Sequence, residues 1–148
     1  MSNVTTLIIT GIKAQLAAAL PGFKELPYVN DPSRNSFRQA QDAYGIRPGQ
    51  VDEQSGVMRT LTYTETFEFV VCGVYGNDSV NDQAATAKAL ELLTAIKTAH
   101  KQLVISRCGA PAHVMLVNGL SIGSPQYDTQ EKLITVEATL DVTYRIQF

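Results

Sequence analysis

The sequence predicts an α+β fold, in which an antiparallel or mixed sheet carries two main helices on one face and a long loop-rich arm. Two long segments alternate apolar and polar residues, as strands do, and two others repeat apolar residues every three or four positions, as helices do. A chain of 148 residues that is 45% hydrophobic is long enough for one core and too short to expect two. Residues 1–148 are therefore predicted to form a single domain.

The first predicted helix covers residues 4–20. Ile8, Ile12 and Leu16 recur at four-residue steps, and a Pro-Gly pair closes the run. Ser2 or Asn3 is expected as the N-cap, because either side chain can accept a hydrogen bond from an N–H group of the first turn.

Residues 21–56 are predicted to be the loop-rich arm, with helical character only in residues 33–44. Four of the six prolines fall in this segment, and a connection of this length is usually a functional loop or an arm bound to a partner. The arm also mixes Arg with aromatic residues, a combination enriched at protein interfaces. Packing of these aromatic residues into the chain's own core is an equally valid interpretation.

Residues 57–72 form the first long predicted strand, rich in Thr, Val, Phe and Tyr with apolar residues at alternate positions. Glu65 alone interrupts the apolar side, which predicts either a bulge or the point where the strand leaves the core.

Residues 82–100 form the second predicted helix, because their apolar residues fall on one face. Asn81 or Asp82 is expected at its N-cap.

The remaining segment is predicted to form a loose hairpin. A short apolar strand at residues 112–122 leads through a Gly-Ser-Pro turn to a last strand at residues 133–148. In this last strand, apolar residues occupy every second position over 16 residues, whereas an ordinary strand has about five or six. So long a strand either bends through the sheet of its own subunit or reaches beyond it to a partner.

Composition and charge argue against several classes of function. The net charge of −2 provides no basic excess for wrapping nucleic acid. The N-terminus is a poor signal peptide, and no apolar run approaches the ~18 residues needed to span a bilayer. Cys72 and Cys108 fit neither a zinc site nor a disulfide framework, so we expect reduced thiols in a cytoplasm.

No catalytic, cofactor-binding or metal site is predicted. Residues 119–123 match the G-x-S-x-G pattern of α/β-hydrolases, but a strand follows them and no histidine lies beyond His113. A turn within a strand pair, with Gly119 and Gly123 in unusual backbone conformations, is the better interpretation. His100 is expected to be structural, near the end of its helix, where the helix dipole favours it.

The segment DAYGIRPGQVDEQSGVMRTLTYTETFEFVVCGVYG and the last strand ITVEATLDVTYRIQF, together with the two helices, resemble the tail terminator (tail completion) proteins of tailed bacteriophages. The resemblance covers most of the chain and is most suggestive where a Tyr-Gly-Ile-Arg-Pro turn leads into a Thr-rich strand. It implies a structural subunit, not an enzyme. Such subunits form a hexameric ring that caps the head-proximal end of the tail tube, ends its growth and presents a surface to the head connector.

The resemblance also implies partners and a location. The partners are further copies of the chain, the tail tube protein and head connector or adaptor proteins, in the tail or neck of a virion assembled in the host bacterial cytoplasm. DNA would pass through the lumen without sequence-specific binding, which agrees with a net charge of −2. No cofactor and no membrane are implied.

Two other functions stay open. A head–tail connector or neck protein is the nearest alternative, because it would also be a ring or a ring-bound subunit. A small ligand-binding or enzymatic α+β domain is the more distant one, and it would require a closed apolar pocket with convergent polar groups.

In the ring hypothesis, the arm and residues 141–148 of the last strand reach a neighbouring subunit or the tail tube, since arms and strand edges can make the unlike contacts of a ring. The alternative is that the strand stays in its own subunit's sheet and ends at the surface. The predicted subunit or partner contacts are Arg34, Phe37, Arg38, Tyr44, Arg47, Arg59, Tyr144, Arg145 and Phe148.

Overall fold

A computed structural model describes residues 3–26, 41–57, 59–76, 81–130 and 132–147. These residues form a mixed sheet of six strands with two long helices, so the α+β prediction is confirmed. The helices are α1 (Val4–Ala19) and α2 (Asn81–Ser106), and the strands are β1 (Lys24–Glu25), β2 (Ala43–Val57), β3 (Thr60–Val74), β4 (Val114–Ile122), β5 (Gln126–Asp128) and β6 (Leu133–Gln147).

The centre of the sheet is the pair β3 and β6. These strands run antiparallel and pair from Thr60 opposite Gln147 to Val74 opposite Leu133 without a shift in register. The strand order is β1-β2-β3-β6-β4, β5 pairs with one end of β6, and among the described strands only β1 and β2 are parallel. Each of these 15-residue strands is therefore paired along its full length by the other, which explains why both are so long.

One hydrophobic core lies between the sheet and both helices. Burying this apolar surface is the main favourable contribution to folding. Both helices cover the same face of the sheet, as predicted, because their buried residues belong to one cluster with one side of β3 and β6. The cluster includes Ile8, Ile12 and Leu16 of α1, Leu92 and Ile96 of α2, Phe67 and Phe69 of β3, and Val136, Leu140 and Val142 of β6.

α1 begins where the sequence predicts. The Oδ1 atom of Asn3 accepts a hydrogen bond from the backbone N–H of Thr6 at 2.7 Å, which makes Asn3 the N-cap. In its middle, α1 packs closely against a short 3₁₀ turn, Arg107–Gly109, that follows α2. Only a glycine fits at this contact, because a Cβ atom on Gly11 would overlap the backbone carbonyl of Cys108.

α2 is longer than predicted at its C-terminal end. The predicted helix ends at His100, but Leu103 is 2% exposed and continues the buried face, and the helix ends at Ser106. His100 therefore lies inside the helix, and its predicted interaction with the C-terminal dipole is wrong. Its Nε2 atom is buried and has no hydrogen-bond partner among the described residues.

The predicted arm is largely strand where the structure describes it. Residues 43–56 belong to β2, so the prediction of a loop there, with helix as far as residue 44, is wrong. β2 tolerates its Gly and Pro residues because it is an outer strand with a register shift between Pro48 and Val51. Gly49 within this shift lies against the backbone of Thr66, where a Cβ atom would come within 2.8 Å of the carbonyl oxygen. Residues 27–40 of the predicted arm lie outside the described residues.

The last strand stays in the sheet of its own subunit. Residues 141–147 pair with residues 60–66 of β3, so the prediction that this end leaves the sheet is wrong for them, and Phe148 lies outside the described residues. The bulge considered at Glu65 is also absent from the β3–β6 pairing, where Glu65 sits in register opposite Val142. The irregularity instead falls in β2, whose Val51 pairs with Glu65.

Candidate subunit interface

The β2–β3 hairpin has a poorly covered end. Phe67 and Phe69 of β3 are buried under the helices, whereas Tyr63, nearer the turn, is only half-buried. On β2, residues 50–53 are all exposed, and we call Gln50, Val51, Asp52 and Glu53 the acidic segment. Among the described strands, only β1 pairs with the outer edge of β2, and it does so only at Ala43 and Tyr44. The acidic segment therefore has a free backbone edge within the described part of the chain.

A buried polar cluster anchors the base of this hairpin end to α1. Glu65 is the one buried charged residue among those described, at 2% exposure, and its Oε1 accepts a hydrogen bond from the Thr5 hydroxyl at 2.7 Å. The Tyr144 ring lies 5.7 Å from that of Tyr63, and its hydroxyl interacts with both Thr5 and Glu65. Burial, with a further contribution from Glu65, raises the pKa of Tyr144.

The predicted contact residues fall into four groups. Arg34, Phe37, Arg38 and Phe148 lie outside the described residues. Tyr44 and Tyr144 are each 5% exposed and belong to the chain's own core, so their side chains are unavailable to a partner without rearrangement. Arg47 forms an ion pair with Glu68 on the side of the sheet that faces away from α1 and α2. Arg59 and Arg145 are exposed at the hairpin end. Arg59 directly precedes Thr60, the first residue of β3, and Arg145 of β6 pairs with Thr62 of β3.

Sequence reasoning missed a second surface, on the solvent side of α2. Three aliphatic residues are exposed there, namely Leu90 at 59%, Val104 at 45% and Ile105 at 66%. Leu90 and Ile105 lie on the same outward face of the helix as Lys97 and Lys101. Helices of this kind usually place polar residues on the solvent side. The helical period of the sequence could have identified this surface, because it places these aliphatic residues on a different side of the helix from the buried Leu92 and Ile96. Shallow grooves beside Ala87 and Leu90 continue this surface toward the start of α2.

The G-x-S-x-G segment forms part of a strand. Ser121 lies in β4, pairs with Thr139 of β6 and is exposed, and the chain continues into β5. Gly119 has the positive φ of 67° that was expected, whereas Gly123 does not. The described residues therefore give Ser121 none of the strand–turn–helix surroundings of a hydrolase nucleophile.

Both cysteines are buried free thiols, Cys72 on the side of the sheet that faces away from α1 and α2 and Cys108 beside Gly11. Burial raises the pKa of each thiol from 9.0 to about 12. Neither group is a reactive thiolate near neutral pH.

We expect the free energy of unfolding to fall as the pH rises from about 9 to about 12. In this window the thiols of the unfolded chain lose their protons while those of the folded chain keep them, so unfolding releases protons and high pH favours it. Each thiol should contribute at most about 1.4 kcal/mol per pH unit. Urea unfolding at several pH values measures the slope. The double variant Cys72→Ala, Cys108→Ala should have a shallower slope, and an unchanged slope would contradict the assignment.

Two further observations concern the described residues only. They contain no group of three or more His, Cys, Asp and Glu side chains arranged to hold a metal ion. They also include no helix that is both long and apolar enough to cross a membrane. The chain matches no known family model, and no curated protein matches it significantly.

Proposed function

We propose that this chain is a structural assembly protein of a phage tail or prophage, a tail terminator whose copies form a ring at the head-proximal end of the tail tube. The observation that carries the proposal is the presence of two different exposed surfaces on the subunit, each with aliphatic and charged residues. One is the exposed end of the β2–β3 hairpin, and the other is the outer face of α2. A ring needs such unlike surfaces, because each subunit contacts its two neighbours through different patches.

The sequence supports the same proposal. The stretch that resembles tail terminators most closely covers β2, the hairpin turn and β3, and so includes the exposed end of the hairpin. In this role the ring stops polymerisation of the tail tube and presents a surface to the head connector. A lumen that DNA crosses should not hold phosphates tightly, and a net charge of −2 per subunit is compatible with that requirement.

Deletion of the gene in its phage or prophage tests the proposal. We expect tails of abnormal length that fail to join heads, and we expect a plasmid copy of the gene to restore tails of normal length. Electron microscopy of the lysate measures both tail length and joining. Tails of normal length that join heads would overturn the proposal. Tails of normal length that cannot join heads would instead support a head–tail connector.

A further inference from the structure

The outer face of α2 carries a stripe with aliphatic ends and a basic middle. Leu90, Lys97, Lys101 and Ile105 follow one another at intervals of seven, four and four residues, so they project from one side of the helix. All four are exposed, Leu90 at 59% and Ile105 at 66%. We call these residues, together with Thr94, the α2 stripe.

The acidic segment of the hairpin has the opposite charge and an aliphatic residue of its own. Val51 is 47% exposed, and Asp52 and Glu53 follow it on the outer strand. Adjacent strand residues point to opposite faces, so an element approaching the edge of β2 that no other described strand pairs with can meet both carboxylates. Gln50 Nε2 lies 3.2 Å from both carboxylate oxygens of Asp52, which limits the movement of that side chain.

We infer that the α2 stripe of one copy binds the acidic segment of a second copy of this chain. The inference rests on the ring proposed above and identifies the surfaces that close it. Lys97 and Lys101 would face Asp52 and Glu53, while Val51 would pack beside Ile105 or Leu90. The positive charges of Arg59 and Arg145 lie further toward the turn, outside this contact.

Charge disfavours contacts between two like surfaces. Two stripes facing each other would bring four lysines together, and two acidic segments would bring four carboxylates together. Like charges placed face to face across an interface cost several kcal/mol. A stripe against an acidic segment has no such cost, and because the two surfaces differ, the contact repeats from copy to copy and can close a ring.

Charge reversal tests the contact in the full chain. At a concentration where the native protein sediments as a ring, about 97 kDa for six chains of 16.1 kDa, Lys97→Glu with Lys101→Glu should give monomers. Asp52→Lys with Glu53→Lys should do the same. Each pair should weaken self-association at least about a hundredfold, since each introduces repulsion between like charges. All four substitutions in one chain restore the complementarity and should return the ring. All these positions are exposed, so unchanged melting temperatures check that folding is retained.

Cross-linking identifies the two surfaces directly. A mixture of Val51→Cys and Ile105→Cys single variants should form mainly mixed disulfide dimers, and the two buried native thiols should not compete. Thr129→Cys, exposed in the turn before β6, is the control and should cross-link to neither.

The possible failures are distinct. A ring that survives both charge reversals, or Val51→Cys chains that cross-link chiefly to each other, would overturn the inference and leave the proposed function standing. A chain that stays monomeric at every concentration and forms no mixed disulfide would also overturn it. The proposed function is decided separately, by tail length and head joining after gene deletion.

Discussion

Gly11→Ala is expected to destabilise the folded chain by about 3 kcal/mol, although the same change inside an unpacked helix stabilises by about 0.5–1 kcal/mol. The new Cβ atom would overlap the carbonyl oxygen of Cys108 and lie 2.7 Å from the carbonyl carbon. Backbone atoms cannot rotate away as a side chain can. The turn is constrained further, because Arg107, Cys108 and Gly109 all have positive φ angles, of 49°, 57° and 71°. Either α1 or the turn must move.

Thermal unfolding measures this effect. For a chain of this size, a loss of about 3 kcal/mol should lower the melting temperature by about 6–12 °C. Gly76→Ala is the matched control, since a Cβ atom there meets nothing within 4 Å and the residue has no positive φ angle. It should change the melting temperature little. A melting temperature of Gly11→Ala equal to or above that of the native chain would contradict the close packing of α1 on this turn.

The long elements with a clear period were predictable from the sequence. α1 and β6 have the predicted type and nearly the predicted bounds, because their apolar positions follow one period along their whole length. The end of α2 was missed, because the prediction stopped at His100. Leu103 follows Ile96 by seven residues and continues the buried face, whereas positions 101 and 102 are exposed.

β2 was missed because its local signals contradict its tertiary setting. Pro48, Gly45 and Gly49 are typical of a loop, and local propensity is a weaker determinant than pairing with a long neighbouring strand. The partner is β3, which has 15 residues and would otherwise leave one edge open. The hairpin turn itself was also not predictable. Positive φ angles in such turns are usually adopted by Gly or Asn, whereas here Arg59 has a positive φ of 65°.

The candidate interface was only partly accessible to sequence reasoning. Residue type identified Tyr44 and Tyr144 as contacts, but their positions place them in the core. Arg59 and Arg145 were identified for the same reason and are exposed. Residue type alone cannot separate these cases, because an aromatic side chain serves equally well in a core and in an interface. The α2 stripe becomes visible only when the buried face of α2 is known.

Glu65→Ala is expected to destabilise the chain by about 3 kcal/mol. The substitution removes the acceptor of the Thr5 hydroxyl and leaves a cavity at a position that is 2% exposed. An unsatisfied buried polar group costs about 1–3 kcal/mol, and the cavity adds to that cost. Glu65 interrupts the apolar alternation of the predicted strand. Its position beside the start of α1 explains why a charged residue stands there. It joins the first turn of α1 to β3 where the hairpin end begins.

Glu65→Gln separates the hydrogen bond from the charge. Glutamine retains an acceptor oxygen for Thr5, so urea unfolding should detect a loss of about 1 kcal/mol or less. The Glu65 charge helps to raise the pKa of Tyr144, so this variant should lower that pKa, which an alkaline absorbance titration measures. Glu137→Ala, at an exposed position of β6, is the control and should change stability by less than about 0.5 kcal/mol. If Glu65→Ala were as mild as this control, Glu65 would not hold the hairpin base to α1, and the orientation of the acidic segment would depend on the strand pairing alone.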